Sequence, residues 1–189
     1  MELHIKNLCK SFDGSPVLEN VSFTAGPGVT CVMAPSGAGK TTLLRILLGL
    51  ERPDSGSVSG GVRWSAVFQE DRLLEHQDAM GNLRFVLGAA LDEPAADALL
   101  TELGLGDTAG KPVREFSGGM KRRLALARAL LAPSDALALD EPFTGLDEEN
   151  RSRCLALIRR VGEEKPVLLV THDPDDAKLL GAAVHKLIG

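Results

Sequence analysis

The chain has 189 residues, of which 25% are charged and 44% hydrophobic, and its formal net charge at pH 7 is −5. This length suffices for one globular core, while the mildly acidic charge argues against a nucleic-acid-binding face, which normally needs clustered lysine and arginine. The sequence holds neither a run of the ~20 apolar residues that cross a bilayer nor a signal peptide, so we expect a cytosolic protein with reduced cysteines.

The first 33 residues predict β-structure. Leu3, Ile5 and Leu8, and then the apolar residues of 17–23, recur at a spacing closer to two than to 3.6, which favours an antiparallel pair of strands. The apolar run 29–33 predicts a buried strand that leads directly into a glycine-rich loop.

Residues 34–42 nearly fit the phosphate-binding pattern G-x-x-x-x-G-K-[ST]. Small residues let successive backbone N–H groups line an anion-sized cavity, and the following helix adds the positive end of its dipole. Lys40 supplies a cation for phosphates and Thr41 a hydroxyl ligand for Mg²⁺. Ala34 replaces the first glycine, which costs roughly 1–2 kcal/mol only if this position needs a positive φ. The candidate nucleotide-binding residues here are Ala34, Pro35, Ser36, Gly37, Ala38, Gly39, Lys40, Thr41 and Thr42.

The remainder predicts an α/β fold with a helical insertion. A helix ends near residue 50, breakers at 52–56 form a loop, and a strand over 62–68 ends at Gln69. Leucine and alanine dominate 70–132, which predicts helices at 94–103 and 118–131. Alternation then resumes, and continuous apolar strands between helices indicate a parallel sheet covered on both faces. The later strands are predicted at 136–139, 167–170 and 184–188, and the later helices at 150–161 and 175–180.

Two carboxylates follow a buried apolar strand. Asp140 and Glu141 therefore lie at the carboxyl edge of the sheet, where ligands of open α/β sheets bind. Asp140 is placed to support Mg²⁺, and Glu141 to polarise a water molecule for attack on the terminal phosphate. A strand end that is acidic only because it is solvated is the alternative, and the phosphate-binding loop upstream makes it the minor one.

A second helix also begins at a glycine-rich segment. Ser117 occupies the capping position, and Gly118 and Gly119 allow close approach of another group to the backbone. Lys121, Arg122 and Arg123 follow in the first turn, where the helix dipole disfavours cations. We expect a phosphate at this end to offset that cost.

The order of these motifs, with residues 144–147 and His172 after them, resembles that of ATP-binding subunits of ABC transporters over essentially the whole chain. The resemblance implies a P-loop NTPase fold with a RecA-like parallel core, an antiparallel β subdomain and a helical insertion. It implies one ATPase domain over 1–189, with the core at 1–69 and 133–189 and a helical subdomain at about 70–132. Phe116 and Met120, like Ala34, depart from the family pattern.

The resemblance also implies a role for each motif residue. Lys40 contacts phosphate, Glu141 is the catalytic base, His172 contacts the γ-phosphate, and Gln69 senses the metal and the membrane partner. Thr41, Gln69 and Asp140 serve Mg²⁺. Ser117 and Gly119 contact the γ-phosphate from a second subunit, and Gly118 and Asp147 are further nucleotide-binding residues. Phe12 is the aromatic residue that stacks on adenine.

The implied partners are a second copy or a related ATPase subunit, paired around two ATP·Mg²⁺, and membrane permease subunits that dock along 69–87. This places the chain at the inner face of the cell membrane. Residues 67–69 and 73–74 are similar to those of nitrate, sulfonate and taurine importers, which favours import. Two alternatives are a soluble single-core ATPase such as an iron–sulfur assembly factor, and a non-hydrolysing switch, against which Glu141 and His172 argue.

Overall fold

The computed structural model of the chain describes residues 2–35 and 37–187. Two predictions therefore lie outside the described residues, namely the site residue Ser36 and the end of the last predicted strand, Ile188.

The described residues form eight strands and six α-helices. The strands are β1 (Leu3–Phe12), β2 (Ser15–Ala25), β3 (Gly28–Met33), β4 (Ser55–Ser59), β5 (Trp64–Val67), β6 (Ala136–Asp140), β7 (Pro166–Val170) and β8 (Ala183–Lys186). The helices are α1 (Lys40–Leu47), α2 (Ala79–Leu87), α3 (Glu93–Glu102), α4 (Gly118–Leu131), α5 (Glu148–Glu164) and α6 (Pro174–Leu180). Short 3₁₀ turns cover Gly88–Ala90, Gly106–Thr108 and Val113–Glu115.

The larger sheet has five parallel strands in the order β5-β6-β7-β3-β8. Apolar residues alternate between its two faces, because successive side chains of a strand point to opposite sides. Leu137, Leu139 and Leu169 belong to a hydrophobic cluster shared with α2 to α5, whereas Ala138 and Leu168 belong to a second cluster with α1 and the smaller sheet. The predicted parallel sheet covered on both faces is confirmed.

The smaller sheet is antiparallel, with the order β2-β1-β4. The predicted pair β1–β2 is confirmed, but β4 was missed because its sequence, SGSVS, carries one apolar residue and follows turn-forming residues. Pairing with β1 forms this strand, and the backbone of Gly56 passes close to Asn7 with a φ of +85° that suits glycine.

The topology brings the chemistry-bearing segments to one edge of the larger sheet. In register, Val67 lies opposite Leu139, and Asp140 lies opposite Val170, so Gln69, Glu141 and His172 all follow strands that end together. The loop after β3 reaches the same edge, because β3 runs parallel to β7. None of the helices in the described residues is long and apolar enough to cross a membrane.

Candidate active site

The phosphate-binding loop has the backbone geometry that its glycines allow. Gly37 and Gly39 both adopt a φ of +82°, and α1 begins directly after Gly39. A Cβ on Gly39 would lie 2.6 Å from the carbonyl oxygen of Val17, so no larger residue fits. Ala34 is not among the described residues with positive φ, and the alanine there therefore carries no left-handed backbone cost.

The ammonium group of Lys40 lies against the start of the same loop. Its Nζ donates hydrogen bonds to the carbonyl oxygens of Ala34, at 2.6 Å, and Pro35, at 2.9 Å. A flexible four-carbon stem carries this point charge, so the amine can exchange these carbonyls for phosphate oxygens without a change in the backbone.

Thr41 and Asp140 form a pair of oxygen donors beside the loop. The Thr41 hydroxyl donates to Oδ2 of Asp140 at 3.1 Å, and Asp140 is only 3% exposed. Burial raises the pKa of Asp140, while the hydrogen bond from Thr41 opposes that shift. Mg²⁺ takes oxygen ligands and is usually held by one or two carboxylates together with substrate phosphates and water. A buried carboxylate paired with a hydroxyl at a phosphate-binding loop therefore fits Mg²⁺.

Glu141 and His172 are held together at the end of the sheet. Nδ1 of His172 lies 2.9 Å from Oε1 of Glu141, and this hydrogen bond raises the pKa of His172. Glu141 has a φ of +48°, and its N–H donates to the carbonyl oxygen of Val170 at 2.9 Å. A non-glycine residue held in this conformation is strained, and such strain clusters at functional sites.

A cleft of about 410 Å³ opens between these groups. Residues from four separate segments line it, and most of them are predicted site residues. They are Val17, Gly37, Gly39, Lys40, Thr41, Thr42, Gln69, Asp140 and Glu141. Val17 was not predicted, because its place in an apolar strand marks it equally well as a core residue. Glu141 also lines a neighbouring cavity of about 390 Å³ with His172 and Thr144.

Ala34, Pro35 and Ala38 of the loop do not line this cleft, and neither do the five predicted nucleotide contacts elsewhere in the chain. Ser117 caps α4 by accepting from the N–H of Met120 at 3.2 Å, and Asp147 caps α5 by accepting from the N–H of Asn150 at 2.8 Å. Ser117 and Gly118 are exposed, and Gly119 lies against Gly145, whose carbonyl oxygen would be 3.1 Å from an added Cβ. Phe12 is 44% exposed, with the Lys10 ammonium 5.0 Å from its ring centre.

The expectation that a phosphate offsets the cations after Ser117 is wrong for two of the three. Arg122 donates to the carbonyl oxygens of Phe68 and Gln69, and Arg123 donates to those of Leu103 and Gly104. Both side chains are buried, and Arg123 also donates through Nε to the carbonyl oxygen of Gly119 at 3.2 Å. Backbone carbonyl groups from other segments therefore stabilise the charges of Arg122 and Arg123, which the helix-dipole argument had not paired with any group of the chain. Lys121 pairs with Glu75 at 3.1 Å.

Comparison with known proteins agrees with this geometry. The family model described as "ABC transporter" matches residues 18–144. The aliphatic sulfonates import ATP-binding protein SsuB of Delftia acidovorans is 42% identical over 183 residues, covering 94% of this chain and 76% of that protein. SsuB 1 of Rhodococcus jostii is also 42% identical, over 89% of this chain and 71% of that protein.

A solved structure shows the same fold. The structure titled "Structure of ATP binding subunit of ABC transporter" superposes with a TM-score of 0.87 over 99% of this chain and 86% of that chain, at 24% identity. The sequence relatives favour the transporter subunit over the iron–sulfur assembly factor. The chain belongs to the ABC transporter family, of which it is an ATP-binding subunit that hydrolyses ATP.

Proposed function

We propose that this chain hydrolyses ATP·Mg²⁺ to drive the import of aliphatic sulfonates through separate membrane subunits. The observation that best supports this proposal is that one cleft is lined by Lys40, Thr41, Gln69, Asp140 and Glu141. The substrate class rests on the names of the similar SsuB proteins. The division into a core and a helical subdomain at about 70–132 stays part of the proposal.

Each group in the cleft has a distinct task. The backbone of the loop and Lys40 bind the phosphates, and Thr41, Asp140 and Gln69 would hold Mg²⁺. When bound, Mg²⁺ neutralises charge on the β- and γ-phosphates. Glu141 accepts the proton of the attacking water, and His172 orients its carboxylate through the 2.9 Å hydrogen bond. We also assign to His172 a contact with the γ-phosphate, since it follows β7 at the same edge of the sheet.

A second copy completes the site. Ser117 and Gly118 stand exposed at the N-terminus of α4, a helix of 14 residues, and backbone N–H groups at a helix N-terminus bind anions. We therefore place Ser117, Gly118, Gly119 and Asp147 against the ATP of the partner, and Phe12 against the adenine of its own chain.

The membrane subunits dock along 69–87. Phe85 is 73% exposed on α2, and Val86 and Leu74 are exposed as well, while Leu83 and Leu87 of the same helix are buried. Exposed apolar side chains mark an interaction surface, and these three lie within the 17 residues that follow Gln69 in the chain. Docking there places the protein peripherally at the inner face of the cell membrane.

The docking surface is tested by co-purification from detergent-solubilised membranes. We expect Phe85→Asp to lose the integral membrane proteins that the tagged parent retains, with ATP binding unchanged. Leu50→Asp, at a position 61% exposed after α1, serves as the matched control and is expected to retain them. Equal recovery with Phe85→Asp and the parent would contradict the docking surface.

The substrate class is tested by uptake. Cells that lack this gene are expected to lose ATP-dependent uptake of ³⁵S-labelled ethanesulfonate, and the parent gene but not Glu141→Gln restores it. If cells that lack the gene took up ethanesulfonate normally but lost uptake of nitrate, the substrate would be nitrate and not a sulfonate. The transport function itself would still hold.

A further inference from the structure

Two arginines of α4 hold the backbone of the segment that carries Gln69. We infer that Arg122 and Arg128 are positioning residues that keep Gln69 at the nucleotide cleft and connect it mechanically to the helix that begins after Ser117. This inference rests on the role proposed above for Gln69 and adds the residues through which that role is maintained.

Each arginine bridges two carbonyl groups of the segment 68–72. Arg122 donates through Nη1 to the carbonyl oxygen of Phe68 at 2.5 Å and through Nη2 to that of Gln69 at 2.7 Å. Arg128 donates to the carbonyl oxygens of Asp71 at 2.8 Å and Arg72 at 2.6 Å. Four of the five carbonyls in this segment are therefore bound by one helix, and one of them belongs to Gln69 itself.

These contacts suit a guanidinium group and no other side chain. The planar fork of arginine presents several N–H donors in fixed directions, whereas lysine offers one compact ammonium on a flexible stem. The Arg122 side chain is buried, and its Nη1 lies 3.2 Å from Oδ1 of Asp71. The buried charge is thus balanced within the same segment that it holds.

The segment has no regular structure to hold it otherwise. Residues 68–74 belong to neither a helix nor a strand, and Arg72 adopts a φ of +49°. A non-glycine residue in this region of φ is disfavoured on its own. The carbonyl of Arg72 is one of those bound by Arg128, so the clamp fixes the segment where its backbone is least stable.

The clamp also gives a short path between the two halves of the proposed composite site. Arg122 lies five residues after Ser117, or about 7.5 Å along the helix axis. Because a helix moves as a rigid element, a displacement of the N-terminus of α4 on contact with a partner's ATP is transmitted to the carbonyl of Gln69. Gln69 lines the cleft of the same chain.

Arg123 provides a matched control on the same helix. It is buried to the same degree as Arg122, at 7% against 6% exposed. Its Nη1 donates to the carbonyl oxygens of Leu103, at 2.6 Å, and Gly104, at 3.0 Å, which lie in the loop after α3 and not beside Gln69. Replacement of either arginine by lysine therefore removes the same kind of contact from different loops.

Hydrogen exchange measured by mass spectrometry tests the clamp on the full chain without nucleotide. We expect Arg122→Lys to accelerate amide exchange across 69–74 by about tenfold, because charge-assisted hydrogen bonds are lost, and Arg123→Lys to accelerate exchange across 103–108 instead. Unchanged exchange across 69–74 in Arg122→Lys, or equal acceleration there by both variants, overturns the inference.

A double-mutant cycle with Gln69→Ala tests whether the clamp acts through Gln69. We expect Arg122→Lys to lower kcat for ATP several-fold in the parent and to have little further effect in Gln69→Ala, since coupled residues are non-additive. An equal fold-loss in both backgrounds overturns the positioning role. Undiminished hydrolysis by Gln69→Ala itself refutes the proposed role of Gln69, whereas the exchange comparison still decides whether the clamp exists.

Discussion

Two helices of this chain begin at glycine-rich segments, and they differ in what surrounds their N-termini. The N-terminus of α1 has no side-chain cap and faces Asp140, Glu141 and Gln69 across a cleft. The N-terminus of α4 is capped by its own Ser117 and is exposed. The first lines a cleft that is already assembled within the chain. The second is also a glycine-rich helix N-terminus but is exposed at Ser117 and Gly118, which favours a site built from two copies.

This difference predicts that ATP hydrolysis depends most strongly on the residues of the cleft at the N-terminus of α1. Glu141→Gln is expected to lower ATP turnover by about 10²–10⁴-fold, the range for removal of a general base, while ATP binding is retained because the loop and Lys40 are unchanged. Steady-state hydrolysis and equilibrium binding of ATP measure the two effects. Turnover at the parent's rate would contradict the assignment of the base.

The affinity of a single chain for ATP distinguishes the N-terminus of α1 from that of α4. We expect Lys40→Ala to weaken ATP binding by about 10- to 100-fold, because charge-assisted hydrogen bonds to phosphate are lost. Ser117→Arg is expected to leave the affinity of the monomer within about twofold, as for other exposed positions. A fluorescent ATP analogue titrated at low protein concentration measures both, and an equal loss in the two variants would mean that α4 faces the cleft of its own chain.

The packing behind α4 distinguishes its two glycines. An added Cβ at Gly119 would lie 3.1 Å from the carbonyl oxygen of Gly145 and 3.3 Å from Cδ2 of Leu146, whereas nothing lies within 4 Å of one at Gly118. Alanine in a helix is favoured over glycine by about 0.5–1 kcal/mol. Gly118→Ala should therefore stabilise the fold slightly in urea denaturation, and Gly119→Ala should lose that gain. Equal free energies of unfolding for the two variants would show that residues 145–146 shift without cost to accommodate the added methyl group.

The smallest expected effect is on the protonation of His172. The hydrogen bond to Glu141 raises the pKa of His172 above its ordinary value of 6.5. The pair therefore stabilises the fold below that ordinary pKa, and this contribution is lost as pH rises through the raised value. In Glu141→Gln the pKa of His172 should fall, as followed by its NMR ring-proton shifts. An unchanged pKa would contradict the contact.

The parts of the fold that could be predicted are those with local signals. The apolar strands before Asp140 and Thr171, and the glycines before Lys40, could be assigned to the carboxyl edge of a parallel sheet because local pattern and burial agree there, whereas the strand order β5-β6-β7-β3-β8 could not be read from the sequence. The helix predicted over 118–131 has the observed bounds of α4. The strand β4 gave no such signal, since its pairing with β1 depends on residues about 50 positions away.

The identities of the site residues could be predicted from the sequence, but the hydrogen bonds between them could not. Lys40, Thr41 and Asp140 follow from motif chemistry, whereas the hydrogen bond between Glu141 and His172 joins residues 31 positions apart. Arg122 was misassigned because the helix dipole is a local argument, and its actual acceptors lie 53 and 54 positions earlier. Such contacts depend on the packing of α4 against the end of β5, which no single segment encodes.

The central claim is that the exposed N-terminus of α4 completes the site of a second copy. The direct measurement is the mass of Glu141→Gln in solution, by light scattering, with and without ATP and Mg²⁺. We expect the mass to double with ATP, and to stay that of the monomer when Ser117→Arg is added to the same chain. A Glu141→Gln chain that remains monomeric at saturating ATP, or a dimer indifferent to Ser117→Arg, would contradict the account.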